Sequence, residues 1–252
     1  SGIDSTSILS ELSNTFNDRT INTITAKFNE TDYDESLYAK KVSEIFETNH
    51  TEFKISQKDI FESIFKILNQ IDEPISDLGL IAIHQVAKCA KGKYKVVFSG
   101  DGGDELFFGY EPFIKYPFTY LLDHMPSFLI KSMLYLLSKT NDDFGYLGLK
   151  YKSRLFLNSF KLEDHKKNQC WSGSFEIDEI RKLIKKLGSN ISLENDVFKK
   201  TNDLFNNSKI SDLKKLGLEY YNLFLPEIIC SHTDKANMIE SIEARSPFLD
   251  ND

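Results

Sequence analysis

The sequence has 252 residues, of which 40% are hydrophobic, so the chain can bury a sizeable core in one domain or in two closely packed ones. Lys and Arg number 31 against 38 Asp and Glu, a net charge of −7, which argues against non-specific nucleic-acid binding because such binding needs a basic surface. The 3 cysteines are far apart without zinc-like spacing, and no apolar run approaches about 20 residues, so we expect a cytoplasmic protein without disulfides or membrane spans.

The first fifty residues alternate helix and strand patterns. The loop "SGIDS" leads at once into a helical pattern with no strand before it, so we expect the chain to be a piece of a longer protein. The β-branched run "INTITAKF" predicts a strand. The next stretch, "DYDESLYAKKVSEIF", predicts a helix behind an Asp34 cap, with Leu37 and Ile45 among the apolar residues at helical spacing.

The alternation continues to residue 110. "TEFKIS" predicts a second strand, and "SQKDIFESIFKILNQI" predicts a helix with a capping-box variant made by Ser56 and Asp59. A loop broken at Pro74 leads into a helix from about Leu78 to Ala90, and "KYKVVF" predicts a buried strand. This order predicts an α/β fold, a parallel sheet with helices on both faces.

The second half has a different pattern. From Glu111 to about Ile229 strand-like runs are scarce, and aromatic-rich helical stretches such as "FTYLLDHMPSFLIKSMLYLLSK" predominate. We therefore predict a nucleotide-binding α/β part over residues 1–110 and a mostly helical part over residues 111–252 that returns to the site.

Two glycine loops fall at the carboxyl ends of predicted strands, where ligands bind in parallel sheets: "SGIDS" and "SGDGGDE". The first offers amides and hydroxyls suited to a phosphate, although this loop taken alone favours an ordinary strand-to-helix turn. No P-loop lysine motif and no G-x-G-x-x-G is present. Asp4 and Asp104 are hard oxygen ligands suited to Mg²⁺. The alternative makes Asp101, Asp104 and Glu105 a helix cap with acidic first-turn residues.

The segment "HTDKANMIESIEARSPFLD" places Asp234 and Lys235 ahead of a predicted helix. One interpretation is a solvated helix with surface ion pairs. The other makes Lys235 a cation that lies near a transferring phosphate. The histidines have no metal-ligand spacing and G-x-S-x-G is absent, which gives a Ser/His/Asp hydrolase little support.

Together, these three segments resemble the synthetase domain of glutamine-dependent asparagine synthetases, which are ATP pyrophosphatases. The first loop is similar to the motif S-G-G-x-D-S, the second to S-G-[DE]-G-[AGS]-D-E-[LV]-F-x-G-Y, and the third to K-x-x-M-x-x-S-x-E-A-R-x-P-F-L-D. Order and spacing also agree, and "DEPISD" lies where the family has a similar acidic loop. The resemblance implies the adenine nucleotide alpha hydrolase-like fold of ATP pyrophosphatases.

The resemblance also implies roles for individual residues. The pyrophosphate end of ATP would be held by Ser1, Gly2, Asp4 and Ser5 of the first loop, and Mg²⁺ by Asp4 and Asp104. Ser99 and Gly100, at the start of the second loop, would contact the nucleotide. Asp101 and Lys235 would take part in the chemistry. Asp101 stands where many members have Glu, a position linked to the second half-reaction. The start of the first motif and the register around Asn237 and Met238 depart from the family pattern.

The implied activity is asparagine synthesis. ATP activates the side-chain carboxylate of aspartate as an adenylate, and ammonia from a glutaminase domain, which this chain lacks, attacks it. A related amidotransferase acting on a sugar carboxylate of surface polysaccharides remains an alternative, as does a nucleotide-binding remnant without turnover. No nucleic-acid or membrane partner is expected. The oligomeric state is left open, with a homodimer among the alternatives.

Overall fold

The computed structural model describes residues 2–16, 19–28, 34–73, 77–140, 148–160, 162–173, 175–206 and 209–250. The chain divides into two compact units. The first contains residues 1–107 together with 223–252, and the second contains residues 108–222. The C-terminal segment with the third motif is therefore part of the same unit as both glycine loops.

The elements follow one another in an order that begins with alternating helices and strands. The first are α1 (Ile3–Thr15), β1 (Asn22–Lys27), α2 (Ser36–Ile45), β2 (Asn49–Lys54), α3 (Gln57–Leu68), α4 (Gly79–Ala90), β3 (Val96–Phe98) and α5 (Gly103–Phe107). The helical stretch contains α6 (Glu111–Lys115), α7 (Thr119–His124), α8 (Ser127–Lys139), α9 (Leu149–Asn158), α10 (Asp164–Ser172), α11 (Ile177–Lys186), α12 (Lys199–Phe205) and α13 (Asp212–Glu219). A π-helical segment (Tyr220–Cys230) leads to α14 (Ser231–Met238) and β4 (Glu243–Arg245). The α/β class and the strands predicted in the first hundred residues are confirmed.

The strands pair in parallel, but the predicted single sheet is not found among the described residues. Instead β1 pairs with β2, and β3 pairs with β4, a strand that the sequence pattern did not predict. Asn49 N–H donates to the Ile21 carbonyl, so alternate residues of β1, such as Ile24, direct their backbone groups away from β2. In the described part of the chain no strand pairs with that edge. The predicted burial of β3 is also wrong, because Val96 is 37% and Phe98 is 50% exposed.

The core of the first unit joins α14 to α4. Ala236 of α14 is fully buried and packs with Leu80 of α4 and Ile67 of α3. Ile242, just before β4, is 1% exposed and packs with Ala87. These contacts fix α14 and β4 against the α/β elements, so the chain is held where it returns to the first unit.

The start of α3 was predicted better than α2, whose N-cap is Glu35 rather than the predicted Asp34. The capping box of α3 is confirmed, with Ser56 and Asp59 bonding each other's backbone N–H groups. By contrast, α2 buries Ser36, Ala39 and Ser43, whereas the apolar side chains of Leu37 and Ile45 are 61% and 75% exposed. The apolar pattern of α2 therefore does not identify the face that packs inward.

The second unit is helical, as predicted. Its clusters are apolar; one is built around Leu122, Ile130 and Leu157. Lys167 is buried too, and its ammonium lies 2.5 Å from an Asp123 carboxylate oxygen. Among the described residues no helix is both long and apolar enough to cross a membrane.

Candidate active site

A cavity of about 710 Å³ lies in the first unit, against both glycine loops and the facing edges of β1 and β3. Its walls are mainly apolar along the strands. Its polar end contains most of the predicted nucleotide-contacting residues. They are Gly2, Ser5, Ser99 and Gly100, and Asp101, which was predicted to take part in the chemistry, also lines the cavity. The structure therefore brings these five residues to one place, while Ser1 lies outside the described residues.

The two glycine loops are in direct contact. A Cβ atom added to Gly103 would lie 2.5 Å from Asp4 Cγ, and one added to Gly100 would lie 3.0 Å from Asp4 Cβ and 3.3 Å from the Ser5 nitrogen. Side chains at these two positions would collide with the first loop. Gly102, with φ of 90°, makes the turn between them in a conformation that favours glycine. The glycines thus allow the close packing of the loops.

This packing places two carboxylates near each other. Burial, and then the negative charge of Asp4, raises the pKa of Asp104. No ion pair compensates either carboxylate in the described part of the chain. Two adjacent carboxylates without a cation form a donor set that fits Mg²⁺, because a hard divalent cation would relieve their repulsion. Asp104 and Glu105 also lie in the first turn of α5, so the acidic first turn of the alternative interpretation is present as well.

Asp101 is held by hydroxyl groups. Its Oδ2 accepts a hydrogen bond of 3.0 Å from Ser99 Oγ and one of 2.6 Å from Thr233 Oγ1 of α14. Ser99 Oγ is also 2.8 Å from Ser246 Oγ. Burial raises the pKa of the Cys230 thiol, and the nearby negative charges of Asp101 and Glu105 raise it further. Sequence reasoning missed Thr233 and Ser246 because hydroxyl residues so far along the chain give no local signal.

Lys235 lies within α14 rather than ahead of a helix, which corrects the prediction. Its ammonium forms an ion pair with Glu73, which belongs to the acidic loop "DEPISD". Thr233 and Lys235 are two residues apart, so their side chains leave the helix about 200° from each other. The structure therefore places Lys235 on the side of α14 away from the contact with Asp101. Glu73 was not predicted as a site residue, although its acidic loop had been noted.

A second group of possible metal ligands lies in the second unit. Oxygen and nitrogen atoms of Glu163, His165 and Glu194 lie within 4.8 Å of one another. The ammonium of Lys166 is 2.6 Å from a Glu163 oxygen and 2.8 Å from a Glu194 oxygen. A protein cation already neutralises these carboxylates, so we interpret the group as an ion-pair network.

Comparison with known proteins agrees with the motifs. The family model described as asparagine synthase matches residues 1–252. The chain belongs to the asparagine synthase family. It is 29% identical to asparagine synthetase (glutamine-hydrolyzing) 1 of Bacillus subtilis over 256 residues, which cover 99% of this chain and 38% of that protein. It is 31% identical to a putative asparagine synthetase (glutamine-hydrolyzing) of Mycobacterium tuberculosis over 255 residues, 99% of this chain and 36% of that protein. The chain thus spans little more than a third of these relatives.

Proposed function

We propose that this chain is the synthetase domain of a glutamine-dependent asparagine synthase. The observation that carries the proposal is the contact between the two glycine loops, which brings Asp4 and Asp104 together with no compensating Lys or Arg among the described residues. In a member of the asparagine synthase family, this arrangement suits the binding of a metal–nucleotide complex. ATP is the expected nucleotide because family members use it.

Each loop contributes a separate function. Gly2 and Ser5 bind the pyrophosphate end of ATP through amide and hydroxyl donors at the start of α1, and Ser99 and Gly100 contact the rest of the nucleotide. Asp4 and Asp104 would hold Mg²⁺, which when bound supplies charge neutralisation to the phosphates. The metal also makes the acidic loops compatible with an anionic ligand.

Lys235 neutralises charge on the α-phosphate. In the structure its ammonium is paired with Glu73, whose side chain is 64% exposed. An ion pair between solvent-accessible groups is weak, so a phosphate can replace Glu73 as the partner of Lys235. We therefore expect Glu73 to hold the lysine ready before the nucleotide binds.

The reaction has two steps. A side-chain carboxylate oxygen of aspartate attacks the α-phosphorus of ATP, the bond to the β-phosphate oxygen breaks, and pyrophosphate leaves. Ammonia then attacks the carbonyl carbon of the adenylate, loses a proton, and expels AMP, which leaves asparagine. The loops and Lys235 contribute positioning and charge stabilisation rather than a covalent intermediate with the protein.

The test is pyrophosphate release by the full-length protein supplied with ATP, Mg²⁺ and ammonium chloride. We expect release that depends on aspartate. Release with a sugar carboxylate such as glucuronate, but not with aspartate, would assign the chain to the polysaccharide amidotransferases. No release with either acceptor would contradict the ligase activity and favour a nucleotide-binding remnant. Addition of glutamine in place of ammonium chloride tests the ammonia source separately.

A further inference from the structure

The hydroxyl groups around Asp101 come from three segments that the fold aligns. Ser99 directly follows β3 and Ser246 directly follows β4, and the two strands are paired with Phe98 opposite Arg245. Ser99 N–H donates to the Arg245 carbonyl at 2.9 Å, so the two serines continue the register of the strand pair. Their hydroxyl contact of 2.8 Å follows from this register.

The direction of the hydrogen bonds can be assigned. A carboxylate only accepts, so the single hydroxyl proton of Ser99 is donated to Asp101 Oδ2. Ser99 Oγ must then accept from Ser246, which makes Ser246 the donor in their contact. Thr233 donates to the same Asp101 oxygen at 2.6 Å. Two donors therefore converge on Oδ2.

The other carboxylate oxygen of Asp101, Oδ1, has no hydrogen-bond partner in the part of the chain that the structure describes. The side-chain torsion χ2 of Asp has a broad energy minimum, so the two donors on Oδ2 restrict the carboxylate to one orientation. Because Asp101 lines the cavity, the fixed orientation keeps Oδ1 available to accept N–H groups there.

We propose that Thr233 is a positioning residue that holds Asp101 for the amide-forming step, and that Ser246 supports the same orientation through Ser99. This inference rests on the proposed function, together with the role in the step after adenylation that the family resemblance implies for Asp101. The Glu that many family members have here is one methylene longer than Asp101. The shorter side chain ends where a hydroxyl of α14 can reach it, and Thr233 supplies that hydroxyl.

The experiment compares the two half-reactions in the full-length protein. Aspartate-dependent exchange of pyrophosphate into ATP reports adenylation, and asparagine formation with ammonium chloride reports amide formation. The variant Thr233→Val removes the hydroxyl and keeps the shape of the side chain, whereas Thr233→Ser keeps the hydroxyl. The control Thr201→Val removes a hydroxyl of α12 that donates to the Phe198 carbonyl.

We expect Thr233→Val to slow ammonia-dependent amide formation about tenfold, because a hydrogen bond to a charged group is lost. Exchange should stay at the wild-type level. Thr233→Ser should restore amide formation, and Ser246→Ala should give a smaller loss in the same step. Equal losses in both half-reactions, or a Thr233→Val result that matches Thr201→Val, would overturn the inference.

A crystal structure of Thr233→Val decides the matter independently of turnover. We expect the Asp101 carboxylate to rotate or to occupy two positions. An unchanged carboxylate would overturn the positioning role even if activity falls. If the wild-type protein shows no exchange with aspartate, the proposed function fails. In that case the position of Asp101 in the crystal still tests what Thr233 does.

Discussion

Two groups of carboxylates in the first unit differ in how their charge is compensated. Glu240 is 3% exposed and accepts hydrogen bonds from Lys66, from Lys91 at 2.8 Å and from His84 Nε2 at 2.9 Å. Burial acts to raise its pKa, but the two lysines outweigh burial and lower the pKa to about 2. Asp104 is partly buried and lies near the Asp4 carboxylate, and both effects raise its pKa. A carboxylate neutralised by the protein stabilises the fold, whereas an uncompensated one leaves charge for a ligand.

The Glu240 group also shows why geometry alone does not identify a catalytic site. Ser63 Oγ is 2.8 Å from His84 Nδ1, and His84 Nε2 contacts Glu240, which is the order of a Ser/His/acid triad. However, Ser63 and His84 are each only 1% exposed, and burial lowers the pKa of His84. No substrate can reach this serine, so the network connects α3 and α4 to the end of α14.

The substitution Asp104→Asn should give the largest effect on activity. We expect pyrophosphate release to fall about 1,000-fold, because the proposed Mg²⁺ site would lose a charged ligand. Thermal stability should not decrease, since the amide removes the repulsion from Asp4. The matched control is Asp203→Asn, at an exposed position of α12. Full activity of Asp104→Asn would remove this residue from the site.

Lys235→Ala should reduce pyrophosphate release about 100-fold, because the cation that we propose for the α-phosphate is lost. Glu73→Gln tests the same ion pair from the other side and should retain most of the activity, since Glu73 would leave Lys235 when the nucleotide binds. Steady-state rates at saturating ATP measure both variants. Equal losses in the two variants would show that the ion pair itself, rather than the free lysine, is required.

Glu240→Gln should act on stability instead. We expect the free energy of unfolding at pH 7 to fall by about 1.5 kcal/mol, because the buried carboxylate loses its charge-assisted hydrogen bonds to Lys66 and Lys91, whose own ammonium groups stay partly solvated. The pKa of Glu240 is lowered from 4.5 to about 2, so its contribution is present above pH 4.5 and is lost as the pH falls towards 2. Urea unfolding should therefore show the two proteins converging in acid. The exposed control Glu62→Gln should change little, and a pH-independent difference would contradict this account.

Gly103→Ala should have a smaller effect on stability, a loss of about 2 kcal/mol from overpacking. The added methyl group would lie 2.5 Å from Asp4 Cγ. Gly2→Ala is the matched control, because a methyl group there meets nothing within 4 Å. Chemical denaturation of both variants measures the difference. Equal stability would mean that the two loops are not packed as closely as described.

The sequence predicted local features better than distant contacts. The capping box of α3 and the strand runs were recognisable because neighbouring residues encode them. Glu73 and Lys235 are far apart in the chain, as are Asp101 and Thr233, so their partners emerge only when the chain is folded. The split between the two strand pairs could not be predicted either, because a β-branched run does not specify which edge another strand covers. The assignment of ATP and Mg²⁺ to individual residues stays a prediction from the resemblance.

In the proposed function the packed loops promote formation of an acyl-adenylate. The most direct measurement supplies the full-length protein with aspartate that carries ¹⁸O in its side-chain carboxylate, together with ATP, Mg²⁺ and ammonium chloride. The oxygen that attacks the α-phosphorus stays on AMP when ammonia displaces it, so we predict one ¹⁸O atom in AMP, detected by ³¹P NMR. AMP without ¹⁸O, or ¹⁸O in phosphate released together with ADP, would contradict the claim.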